Sequence, residues 1–177
     1  MKTVDQVKSE SQEKTVDQVN PEGLKKSVDQ KKSVESENKT ILRVRYADTD
    51  AMKYAWHGNF FVWFEVARTD LLKAAGMTYR QMEEMGVMLP LLECGCKFKI
   101  AARYDDELEI KTVVENLTPA RITFKYEVFR TEDGKLMAEG MTSHAFMSDS
   151  YKAINLKKVK PEIYELLGGR KGEDDAR

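Results

Sequence analysis

The chain has 177 residues, 41% of them hydrophobic, which is one domain's worth of sequence with enough apolar material for a core. Acidic and basic residues nearly cancel, 30 against 29 for a formal net charge of −1, so no overall field directs the protein to nucleic acid or to an anionic membrane. No stretch approaches the roughly 20 apolar residues of a membrane span, and the N-terminus lacks the apolar core of a secretion signal, so a cytoplasmic protein with no membrane span is expected.

The first 38 residues differ in kind from the rest. They repeat with a 12-residue period, "KTVDQVKSESQE", "KTVDQVNPEGLK", "KSVDQKKSVESE", and each copy carries only one or two valines among Lys, Glu, Ser, Asp and Gln. So little apolar surface does not offset the chain entropy of folding. Residues 1–38 are therefore expected to form a disordered low-complexity tail, 39–168 a domain, and 169–177 a flexible end.

From residue 40 the pattern changes. "TILRVRYA" alternates as a half-buried strand does, with Ile41 or Leu42 opening an apolar series continued at Val44 and Tyr46. Asp48 and Asp50 follow, and then a run from His57 to Ala75 without proline and, after Gly58, without glycine. Apolar residues fall nearly all round its helical wheel, which predicts a helix buried on every side and stopped by Gly76. "TYRQMEEMG" predicts a second, short helix, with Thr78 and Gln81 spaced as a capping box and Gly86 as terminator.

The remainder reads as strands: "VMLPLLECGCKFKI", "DELEIKTVVENLT", and "RITFKYEVFRTEDGKLMAEGMTSHAFM", whose Asp133-Gly134 signals a hairpin turn. "KPEIYELLGG" closes the series as a short helix entered through Pro161 and ended by Gly168. Long antiparallel strands with little helix between them must curl around something apolar, and the first helix is that element. The expected class is α+β, an antiparallel sheet wrapped around a long central helix.

Cys94 and Cys96 fall on one face of a strand, and only two histidines are present. A metal pair needs further soft ligands, so the cysteines read as reduced thiols packed as small apolar side chains, and neither a metal nor a cofactor is expected. His144 reads as a sheet residue, and Met82, Met85 and Met88 as core.

Two stretches, "RVRYADTDAMKYAWHGNFFVWFEVART" and "ARYDDELEI", together with this architecture, resemble the hotdog-fold acyl-CoA thioesterases, and among them the 4-hydroxybenzoyl-CoA thioesterase-like family, over about residues 40–167. The resemblance implies that Asp50, the second aspartate of the pair, is the catalytic carboxylate. It also implies that the backbone N–H at His57, seven residues on at the start of the buried helix, polarises the thioester carbonyl. The family commonly has a glycine in the intervening loop, where Met52 and Lys53 stand here.

The chemistry fits those residue types. A helix N-terminus offers unpaired N–H groups and about half a positive charge to the developing oxyanion. An ionised carboxylate either attacks the carbonyl or activates water. Asp48 reads instead as a backbone-bonding aspartate at the strand end. Tyr54, Trp56 and Phe60 are expected to bind the acyl group. Glu65 shares a helix face with His57 and Phe61 and is a further substrate-binding candidate, with an ordinary ion pair to Arg68 as the competing reading. Lys53, Arg103, Arg121 and Lys125 are candidates for the phosphates of coenzyme A.

The function expected is hydrolysis of an acyl-CoA thioester to free acid and CoA, in a homodimer or homotetramer with active sites between subunits and with no nucleic-acid partner. Two other readings keep the fold: a thioesterase acting on acyl carrier protein, and a protein that binds acyl-CoA without cleaving it.

Overall fold

The computed structural model describes residues 37–168, so the tail expected over 1–38, except its last two residues, and the end expected over 169–177 lie outside the described residues. In chain order the elements are β1 (Asn38–Arg43), a 3-10 turn (Tyr46–Asp48), α1 (Gly58–Ala74), α2 (Tyr79–Glu84), β2 (Leu91–Phe98), β3 (Glu107–Leu117), β4 (Arg121–Arg130), β5 (Leu136–Ala145), α3 (Leu156–Val159) and α4 (Pro161–Leu166). The five strands form one sheet in the order β1-β3-β4-β5-β2, antiparallel at every pairing. This is the hotdog arrangement, with β1 and β2 at the two edges.

Alternation along β4 makes the inner face: Ile122, Phe124, Tyr126 and Val128 are fully buried, and β3 adds Leu108 and Ile110. Phe64 of α1 stacks on Tyr126, ring centroids 4.4 Å apart, and its ring lies so close over Gly140 that a side chain there would overlap it. Burial of each such side chain contributes about 1.5–3 kcal/mol.

Two sequence expectations need correction. β1 ends at Arg43, so Tyr46 does not continue the buried series; it is 79% exposed, edge-on to Tyr104 with ring centroids 5.7 Å apart. Nor is α1 buried all round. Phe60, Trp63, Phe64, Ala67, Leu71 and Leu72 face the core, whereas Val62 and Val66 remain 55% and 43% exposed, because a single sheet covers one side of a helix only. The short α3, tied to the β3–β4 turn by Leu156 N–H to the Pro119 carbonyl, was not anticipated.

A polar chain crosses the interior under α1. His144 Nδ1 lies 3.1 Å from the Leu89 carbonyl, which can only accept, so Nδ1 carries the proton and Nε2 accepts from Thr142 at 3.0 Å. Tyr126 then donates to Thr142 at 2.8 Å. Burial, and after it the charge of Arg68, pushes His144 down to about 4, so the ring is neutral at neutral pH.

Candidate active site

The site is built on the segment between β1 and α1. Helix α1 begins in an unusual way. Its N-cap is His57, already in helical backbone angles and with no side-chain cap hydrogen bond. A Ser, Thr or Asp there would turn its own oxygen onto the first helical N–H groups, as Thr78 does for Gln81 at the start of α2. Without such a cap, Asn59 N–H reaches the Trp56 carbonyl and Phe60 N–H the His57 carbonyl, but the N–H groups of His57 and Gly58 meet no acceptor among the described residues. Two donors and the positive end of a 17-residue helix are thus left available. Gly58 leaves room for the Trp56 ring, which a side chain at this position would push aside.

Asp50 enters from the other side on a tight hairpin. Thr49 bridges Ala55, Asp50 N–H donates to the Tyr54 carbonyl, and Lys53 N–H donates to the Asp50 carbonyl at 2.9 Å. Closing so short a loop puts Lys53 at a φ of 64°, a left-handed conformation that glycine adopts without strain and that costs a lysine about 1 kcal/mol. The Asp50 side chain is oriented by Met52 N–H, which donates to Oδ1 at 2.8 Å; Oδ2 has no donor among the described residues.

Asp48 has the opposite environment. Its carboxylate is 3% exposed and held by Arg45, whose Nη2 lies 2.7 Å from Oδ1 and whose backbone N–H donates to Oδ2. Those hydrogen bonds hold its carboxyl below the usual range, as suits a fixed structural anion.

Asp50, His57, Tyr54 and Phe60 line one cavity of about 210 Å³, open on one side, together with Met52 and Phe98. Trp56 is not among its lining residues; it is half exposed and packs on the His57 ring at 5.1 Å. Glu65 lies two turns along α1, exposed and outside this cavity. The Glu65–Arg68 ion pair, the competing reading of Glu65, does not form among the described residues; Arg68 lies 6.0 Å from the Phe124 ring centroid instead. Of the candidate phosphate ligands, Lys53 is exposed beside the cavity, and Arg103 covers the Tyr54 ring at 5.3 Å. Lys125 pairs with Glu127, and Arg121 sits at the opposite end of the sheet.

Two residues that shape the site escaped sequence reasoning. Phe98 belongs to the last-predicted half of a strand whose end meets α1 only in the fold, where it stands edge-on to Phe60 at 5.0 Å. Asn59 carried a weak signal, a polar side chain in the first turn of an apolar helix; its amide donates to the Asp48 carbonyl at 2.7 Å. The cysteines lie on β2, where burial pushes the Cys96 thiol up to about 11 and keeps it protonated. No helix among the described residues is long and apolar enough to cross a membrane.

Comparison with known proteins bears on the whole domain. The family model of the thioesterase-like superfamily matches residues 44–167. The acyl-CoA thioesterase YbgC of Haemophilus influenzae is 31% identical over 124 residues, 70% of this chain and 85% of its own. The 4-hydroxybenzoyl-CoA thioesterase of a Pseudomonas species is 28% identical over 130 residues, 70% of this chain and 92% of its own. Among solved structures, a DHNA-CoA thioesterase from Staphylococcus aureus is similar with a TM-score of 0.71 and 34% identity, over 75% of this chain and 89% of that one.

Proposed function

The chain belongs to the thioesterase-like superfamily and hydrolyses acyl-CoA thioesters, and on that premise we propose that Asp50 delivers the attacking oxygen while the free N–H groups opening α1 hold the thioester carbonyl. The observation that carries this reading is a convergence: Asp50, with one anchored oxygen and one that meets no donor among the described residues, and His57, whose N–H at the helix end meets no acceptor among them, line one cavity. The N–H groups of His57 and Gly58 and the helix dipole stabilise the negative charge that develops on the carbonyl oxygen. The carbon so polarised is exposed to Oδ2 of Asp50.

Two routes use the same geometry. In one, Oδ2 attacks, the C–S bond breaks, CoA leaves as thiolate, and water then hydrolyses the acyl-aspartyl anhydride. In the other, Oδ2 takes a proton from a water that attacks directly. A single turnover in ¹⁸O-water tests the first route: label in Asp50 requires the anhydride, with water attacking its aspartyl carbon, whereas label in the acid alone arises from direct attack of water or from attack on the acyl carbon of the anhydride. Tyr54 and Phe60 contact the acyl group in this reading, Trp56 shapes the site through the His57 ring, and Glu65 serves at most a second subunit's site, given its place outside the cavity.

Asp50→Asn keeps the shape and removes the charge. It is expected to lower kcat by about 10²- to 10⁴-fold on a panel of short, long and aromatic acyl-CoAs, with KM little changed. Wild-type turnover by this variant would remove Asp50 from the mechanism.

The same reading includes a homo-oligomer, at least a dimer. Among the described residues strand β2 has an unpaired edge and leaves Leu91, Leu92 and Phe98 about half exposed, and the outward side of α1 adds Val62 and Val66. An apolar sheet edge calls for a partner, and a second copy joined there meets it with the same surface. Because Phe98 also lines the cavity, such a contact would complete the acyl pocket from the neighbouring subunit.

A further inference from the structure

We propose that Asn59 is a positioning residue for thioester cleavage, its side-chain amide clamping the loop that carries Asp50 to the helix end that carries the free N–H groups. The inference rests on the roles assigned above to Asp50 and His57 and deepens them.

The segment from Asp48 to Asn59 is a closed ring. At its base a single atom, the carbonyl oxygen of Asp48, accepts from Trp56 N–H at 2.8 Å and from Asn59 Nδ2 at 2.7 Å. Asp48 is itself fixed: its buried carboxylate takes hydrogen bonds from the backbone N–H, Nε and Nη2 of Arg45. The strand end is therefore a rigid post, and Asn59 ties the helix to it. Asp50 lies two residues from one side of the tie and His57 two residues from the other, so the width of the gap between carboxylate and N–H groups follows from the length of this ring.

Asn59 is suited to the task by its place in the helix. As the second residue of α1 it already satisfies its backbone N–H at the Trp56 carbonyl, 2.9 Å away, which leaves the side chain to reach back across the loop. It does not line the cavity, so it acts through Asp50 and His57 and not on the substrate. Without the amide, Trp56 N–H is the remaining tie at that carbonyl. The hairpin that holds Lys53 at a φ of 64° then has less to oppose its relaxation, and relaxation moves Asp50.

The test is a kinetic double-mutant cycle in the full chain, using whichever acyl-CoA of the panel the wild-type protein turns over fastest. Asn59→Ala removes the donor; Asn59→Asp keeps its size but presents a carboxylate that repels the carbonyl. Each is expected to lower kcat by about 10- to 100-fold with KM within a few-fold of wild type, as a displacement of about 1 Å at the reacting groups does. Asn59→Gln, which retains an amide donor, should recover part of the rate. In the Asp50→Asn background the same Asn59 changes should lower the residual rate by less than about 3-fold, since there is no longer a carboxylate to place.

An equal loss in both backgrounds would mean that Asn59 merely supports the fold and would overturn the proposal, as would wild-type kcat in both Asn59→Ala and Asn59→Asp while Asp50→Asn is slow. If Asp50→Asn alone leaves kcat unchanged, the assignment of Asp50 fails and the positioning role falls with it, an outcome visible before any Asn59 variant is measured.

Discussion

His144 illustrates how one buried side chain sets a pH limit. Its folded-state value of about 4 lies below the roughly 6.5 of an exposed histidine, so between those values the unfolded chain binds the proton and the folded one does not. The stability tied to a neutral ring is therefore fully present above pH 6.5 and is lost as pH falls through 4, up to about 3 kcal/mol. Thermal midpoints from pH 7 to 5, a range above most carboxylate titration, should fall in the wild type and fall less in His144→Asn. Equal slopes for the two proteins would exclude His144 as the cause. Asp48 and Asp50 carry a second lesson at this scale. Two aspartates separated by one residue stand in different environments: one is buried under Arg45, and the other has an oxygen that meets no donor among the described residues. Sequence reasoning could assign Asp50 by resemblance, but the partners that distinguish the pair come from Arg45 and Met52 backbone and side-chain geometry.

Among the elements, α1 is shaped by its two neighbours. Its start is under-capped and leaves donors free; its middle is pressed onto the sheet, with Phe64 against Tyr126 and Gly140. Gly140 shows no positive φ, so its need for glycine is one of space and not of backbone conformation. A methyl group at 140 must displace a fully buried ring, and Gly140→Ala is expected to cost about 1–3 kcal/mol, seen as a lower urea midpoint with an unchanged slope. An unshifted midpoint would mean that the ring moves aside freely. The helices and strands themselves were legible, as was the Thr78–Gln81 capping box, since each depends on periodicity or on residues three apart. What escaped was α3, four residues capped by Asn155 and tied to the distant Pro119 carbonyl through Leu156 N–H, and the true end of β1, where Tyr46 leaves the ladder.

For the whole molecule, the distribution of apolar surface points to association along β2. The outer face of the described sheet carries the ion pairs Lys39–Glu109, Lys125–Glu127 and Lys99–Glu139 beside an exposed Ile41, whereas β2 exposes Leu91, Leu92 and Phe98 together, which favours pairing by the β2 edge over stacking of sheets. Sedimentation equilibrium should give a dimer or a larger even assembly, and Leu92→Glu, which places a charge on that edge, should shift it toward monomer with loss of turnover. A wild-type monomer with full activity would rule out a site shared between subunits. The sequence by itself determined the α+β class and the central helix, because alternation and helical periodicity are written in neighbouring residues, whereas Asp50 is a candidate through the family that its motif resembles. Only the tertiary structure decided which side of α1 is covered, that Trp56 and Glu65 stand outside the cavity, that Phe98 lines it, and that the Asn59 amide meets the Asp48 carbonyl. Those outcomes depend on which strand end meets which helix turn, and that contact is made by residues far apart in the chain.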